Sequence, residues 1–199
     1  MSNIAILMLI NIIIALAEIF IVNNVLEIPS SYNSDIFSES ILFPLLRMLL
    51  IIPLLEGLIY RLWLEDSKVN FIISFAACIA EILYGSMRVG TEDRVFYLSI
   101  LFITMGIIFF NRFLSMRGMK YDKYILIISA TLFASLHISH FVNLQSIPLY
   151  YIALLAMPPF VLGLITGSIR LKYGFKYCVI FHSINCGIIA GLTFIYLHL

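Results

Sequence analysis

An all-α bundle of about seven membrane-spanning helices is the fold class this sequence predicts, and three observations predict it. Hydrophobic residues fill 62% of the 199 positions, charged residues only 12%, and the mean hydropathy is +1.07. A soluble domain has no use for that much apolar surface. A helix needs roughly 20 apolar residues to cross a bilayer, and seven stretches reach or approach that length: 4–26, 41–64, 69–87, 95–115, 124–142, 148–169 and 177–197. The third observation is that several of these stretches carry ionisable side chains far from their ends. Little chain lies between the stretches, so residues 1–199 read as a single integral membrane domain.

The first stretch is too long for a signal-peptide core and no Lys or Arg precedes it, so it reads as a retained helix. The polar segment from Ile28 to Glu39 follows, placed to cap one face of the bundle. The second stretch ends Pro53-Leu-Leu-Glu56-Gly-Leu-Ile-Tyr60-Arg61-Leu-Trp-Leu64 and runs into Glu65-Asp66. If the N-terminus is cytoplasmic, seven spans place nine of the twelve Lys and Arg at cytoplasmic ends: Arg61, Lys68, the group at 112–123, and Arg170, Lys172 and Lys176. Positive charge collects on that side, which gives an N-in, C-out orientation in a cytoplasmic (inner) membrane. A net charge of +1 excludes nucleic-acid recognition, which needs a basic patch, and leaves the bilayer as the partner of the basic loops. Cys78, Cys178 and Cys186 lie in apolar stretches without paired spacing and read as small core residues. The sequence contains no internal repeat, glycine-rich phosphate loop, CxxC or HExxH.

Glu56 lies about two turns from the end of its stretch, too deep for its short side chain to reach water, so it needs a partner or a wet cavity. A desolvated carboxylate is suited to take and return a proton near neutral pH. An ion pair with Arg47 or Arg61 is the purely structural alternative. Arg61 points about 140° away from Glu56 around a helix and is expected to snorkel to the interface. The fifth stretch places Phe133 one turn before His137, with His140 about 60° round from it, so that both histidines border one cavity. The seventh carries His182, Asn185 and Cys186. A lone histidine in a membrane helix is usually a satisfied polar contact. Two helices bearing histidine and a third bearing a buried glutamate read as a working site, because each group needs the others.

In this pattern the chain resembles the CAAX-protease and bacteriocin-processing (CPBP) intramembrane proteases, which include the type II CAAX prenyl endopeptidases and the Abi group. That family carries E-E-x-x-x-R, F-x-x-x-H and H-x-x-x-N on separate membrane helices. Here stand Glu56-Gly57 with Arg61, Phe133 with His137, and His182 with Asn185-Cys186, over a core of about 45–191. The resemblance implies a glutamate-type endopeptidase with no cofactor and no required metal. Its substrate would be a peptide or protein near the membrane, lipid-modified or membrane-tethered. Glu56 and His137 would activate a water, and His182 with the Asn185 amide would stabilise the oxyanion. Arg61, Tyr60 and His140 would bind or orient the substrate and the glutamate-bearing segment.

Two positions depart from the family. Gly57 replaces the second acidic residue, and Cys186 stands where asparagine is usual, with Asn185 one residue early and about 100° away around the helix. These departures supply a second reading, a catalytically silent relative acting as a membrane binding or immunity protein. A zinc hydrolase using His137, His140 and His182, and a transporter with charges along a path, are further alternatives; the transporter lacks inverted repeats.

Overall fold

The computed structural model describes residues 2–21, 45–65, 67–86, 99–100, 102–107, 123–138 and 148–198. Among these the chain is helical throughout and contains no strand. The helices are α1 (Ser2–Ile21), α2 (Ile52–Tyr60), α3 (Lys68–Ser86), α4 (102–107), α5 (Lys123–Ile138), α6 (Leu149–Tyr173) and α7 (Phe175–His198). Each falls within or close to one of the seven apolar stretches of the sequence. The segment 28–39, Arg88, Arg94, the basic residues from 112 to 120, and His140 lie outside the described residues.

Apolar side chains fill the core and also cover the outside of the bundle, while a set of polar ones is buried within it. Ile6, Leu9, Ile13, Leu50, Val69 and Ile72 are exposed, while Asn11, Arg61, Ser129, Thr166, His182 and Asn185 are buried. Apolar surface facing outward and hydrogen-bonding groups facing inward is the arrangement that a hydrocarbon solvent selects. Two helical segments, Tyr150–Tyr173 and Phe175–Leu192, are long and apolar enough to cross a membrane by length and composition.

α6 packs against α5, α7 and α1, and the contact between α5 and α6 is the most extensive in the fold. Gly163 and Gly167, one turn apart, make that contact possible. A Cβ on Gly163 would lie 2.9 Å from the Ala130 Cα, and one on Gly167 would run into the end of the Leu126 side chain. Small residues four apart let membrane helices approach backbone to backbone. α6 then turns into α7 through Gly174 alone, at φ 98°, whose N–H donates to the Arg170 carbonyl at 3.0 Å. A residue with a Cβ is strained at that φ.

The second stretch is less regular than one continuous helix. Pro53 has no N–H to donate to the turn before it, and the chain just upstream widens into a π-helical turn over Arg47–Ile51, where the Ile52 N–H reaches the Arg47 carbonyl. α2 then stops at Tyr60 and a 3-10 turn, Leu62–Leu64, follows. Its last carbonyls end inside the bundle, where no water can satisfy them. Ser74 of α3 donates to the Leu58 carbonyl, and Ser129 of α5 donates to that of Tyr60. The end of α2 is therefore fixed from two sides, with Glu56 one turn before it.

Candidate active site

Polar groups stack in layers from one end of the bundle inward. At the end, Glu65 pairs with Arg170 and also accepts from the Asn70 amide at 2.7 Å, which ties the exit of α2 to α3 and α6. This contact puts the 61–68 and 170–176 segments, with Lys68, Lys172 and Lys176, at the same end.

One layer deeper lies Arg61, only 2% exposed. Its Nε donates to the Thr166 hydroxyl at 2.9 Å and its Nη1 to Ser129 at 3.1 Å, and its guanidinium lies 4.5 Å from the Phe133 ring centre. The expected snorkelling to the interface does not occur. The neutral acceptors on α5 and α6 and the ring of Phe133 hold the cation inward, in space that Gly163 keeps open, since a Cβ there would come within 3.3 Å of Nη2. Tyr60, also buried, sets its ring edge-on to Phe133 at 5.3 Å.

The third layer gathers Glu56, His137 and His182 around one carboxylate. His182 Nε2 is 3.3 Å from Glu56 Oε2, and His137 Nε2 is 3.8 Å from Oε1. Phe133 organises both rings: its own lies 4.3 Å from that of His137 and 5.9 Å from that of His182, centre to centre. His137 Nδ1 is 3.0 Å from the Phe133 carbonyl. Taking that contact as Nδ1–H donating, a neutral His137 directs its Nε2 lone pair toward Glu56. The 3.8 Å gap exceeds a direct hydrogen bond but suits a bridging water. The side chains of His137, Glu56 and His182 are 31%, 16% and 5% exposed, so the layer opens on the His137 side. Arg47, the alternative partner for Glu56, is exposed on the π turn. Among the described residues no three His, Cys, Asp or Glu side chains form a metal-holding group.

The off-pattern positions have clear surroundings. A Cβ on Gly57 would meet the Phe175 ring and the Val179 Cγ2, each at 3.2 Å, so α7 covers the place of the family's second acidic residue. Cys186, partly buried, lies within electrostatic reach of the Glu56 carboxylate. Cys78, Cys178 and Cys186 form no disulfide among the described residues. Asn185 meets α1. It is fully buried and its Oδ1 accepts from Asn11 Nδ2 of α1 at 3.1 Å.

A family model described as type II CAAX prenyl endopeptidase Rce1-like matches residues 38–188, well over half of the chain. The chain belongs to this family. Type II CAAX prenyl endopeptidase Rce1-like proteins are CAAX-type intramembrane proteases, so the protein is a membrane-embedded member of a protease family. No curated protein and no solved structure matches it. The matched region contains Glu56, Arg61, Phe133, His137, His182 and Asn185, and leaves α1 outside.

Sequence reasoning found the glutamate and histidines because ionisable groups at membrane depth stand out. It missed Ser129, Thr166 and Asn11, since a single hydroxyl or amide in an apolar run has no periodic signature. For Asn11 the signal was its position in the middle of a long apolar stretch. A hydrogen bond between membrane helices is worth roughly 0.6–2 kcal/mol. Among the described residues Asn11 Oδ1 and Asn185 Nδ2 are buried without hydrogen-bond partners, and each such atom costs about 1–3 kcal/mol. As a stability device the pair loses to two apolar residues.

Proposed function

We propose that the protein is an intramembrane endopeptidase in which Glu56 and His137 activate a water. The observation that carries this reading is the approach of two imidazoles, from α5 and α7, to the two oxygens of one carboxylate on α2. A water between Glu56 Oε1 and His137 Nε2 has two acceptors for its two protons. Its oxygen attacks the scissile carbonyl carbon as one proton passes to Glu56.

His182 gives the reaction its second phase. Before attack, the negative carboxylate draws the His182 N–H toward Oε2. Once Glu56 is protonated that pull weakens, and the same N–H turns to the developing oxyanion, so the interaction strengthens in the transition state rather than in the ground state. The tetrahedral intermediate collapses with cleavage of the C–N bond, and Glu56 returns its proton to the leaving amine. Arg61, with its Nε and Nη1 donors on Thr166 and Ser129, acts by holding the end of α2, with Tyr60 packed on the same Phe133.

The substrate is a peptide or protein segment at the membrane, lipid-modified or membrane-tethered. The basic end of the bundle faces the cytoplasm, with the N-terminus inside and the C-terminus outside. The second reading, a silent relative acting by binding, draws on the covered Gly57 and on Cys186.

The test is cleavage of prenylated and unmodified C-terminal peptides by the purified protein in lipid, followed by mass spectrometry in ¹⁸O-water. Parent protein should place one ¹⁸O in the new carboxyl group, and Glu56→Gln should not cleave. Equal cleavage by that variant removes Glu56 from the mechanism. No cleavage by the parent across the panel favours the silent relative.

A further inference from the structure

We infer that α1 is part of the site, with Asn11 as a positioning residue that fixes the Asn185 amide so that its NH₂ group faces the reaction. This rests on the peptidase reading above.

The argument begins from the two faces of a carboxamide. Asn11 Nδ2 donates to Asn185 Oδ1 at 3.1 Å, which commits the oxygen of the Asn185 amide to α1. The Asn185 nitrogen is then directed away from that contact, as a buried donor with no hydrogen-bond partner among the described residues. Asn185 lies one turn beyond His182 on α7, and Asn185 itself is fully buried. Buried donors without acceptors are the parts from which an oxyanion site is built, because they cost nothing further to organise when charge develops. The same pair would be a poor choice for joining helices, since two of its four polar atoms are unsatisfied. The one-residue shift of asparagine from the family pattern is thereby offset: the amide at 185 is aimed by a partner on α1, which packs against both α6 and α7. The matched family region does not include α1, so this contribution belongs to the chain's own first helix.

Asn11→Asp separates positioning from packing. A carboxylate matches the amide in shape but has no N–H to offer, so the Asn185 amide must rotate and spend its NH₂ group on residue 11. Asn11→Gln keeps the donor. With the parent's best-cleaved peptide, Asn11→Asp and Asn185→Ala should each lower kcat by on the order of 10²–10³-fold with KM little changed. Asn11→Gln should recover most of the rate, and the double variant Asn11→Asp with Asn185→Ala should be no slower than Asn185→Ala alone. Multiplying losses in the double variant, or full kcat in Asn11→Asp while the parent is active, overturns the inference and leaves the peptidase reading intact. An inactive parent overturns both. Unfolding midpoints in detergent separate positioning from misfolding: Asn11→Asp and Asn185→Ala should unfold close to the parent, and a loss of kcat matched by a loss of folded protein overturns the inference.

Discussion

Glu56 and Arg61 stand five residues apart on one segment, both ionisable and both inside the bundle, and their neighbours treat them in opposite ways. Arg61 is sealed, at 2% exposure, with hydroxyls of two helices and an aromatic face fitted to its guanidinium. Glu56 is met by two imidazoles, at 3.3 and 3.8 Å, with an opening on the His137 side. A buried ion surrounded by fixed neutral partners is a brace. One surrounded by titratable partners and reachable by water is equipped for chemistry. The brace also serves the site, because Phe133 carries Arg61 on its face and both histidines around it.

Substitution should separate the two roles. Glu56→Gln is expected to reduce peptide cleavage by about 10²–10⁴-fold, the span for loss of a general base, while thermal unfolding in detergent stays close to that of the parent. Arg61→Lys is expected to do the reverse. An ammonium group cannot span Thr166 and Ser129 as the planar fork does, and losing a buried hydrogen bond to a charged group costs about 1.5–3 kcal/mol. Chemical denaturation in detergent measures that loss. A stable Arg61→Lys protein, or an unfolded Glu56→Gln protein, would erase the distinction between brace and site.

The same contrast explains what was legible in the sequence. Seven apolar stretches and the burial of Glu56, His137 and His182 were readable because membrane spans are long and charges in them are costly. Phe133 was visible only through its spacing from His137, and its contact with Arg61 was not. The inward turn of Arg61 was misread because side-chain length alone permits snorkelling, while the acceptors that hold it, Ser129 and Thr166, lie 68 and 105 residues away. The π turn before Pro53 was hidden for a different reason. Hydrophobic periodicity reports the face of a helix and not how its backbone accommodates a missing N–H. Asn11 pairs across 174 residues, a relation that no local pattern contains.

A smaller effect tests the contact that supports the brace. Gly163→Ala puts a Cβ 2.9 Å from the Ala130 Cα, backbone that cannot yield as a side chain can. Overpacking of this kind costs about 1–3 kcal/mol, and the gain from replacing a helical glycine returns roughly 0.5–1 kcal/mol. The net expectation is a loss of about 1 kcal/mol, read as a lower unfolding midpoint, with Arg61 displaced and activity reduced in proportion to the folded fraction. Reduced activity at unchanged stability would show that Gly163 acts on the site directly.

The smallest effect is expected at Gly57, beside the glutamate itself. In Gly57→Ala the new Cβ meets the far edge of the Phe175 ring and the Val179 methyl at 3.2 Å, contacts that a few tenths of an ångström of side-chain movement relieve. The helix gains roughly 0.5–1 kcal/mol from losing a glycine, and tight packing takes back a similar amount, so stability and cleavage should both stay near the parent's. Gly57→Glu is different in kind. It restores the family's second carboxylate in space that Phe175 and Val179 occupy, and the ring must leave its place against α2 to admit it. That variant alone should lose stability, whereas pairing it with Phe175→Ala opens the space and should recover part of the loss. If Gly57→Glu is as stable as Gly57→Ala, the Phe175 ring does not fill that position, and the absence of the second carboxylate needs another physical cause.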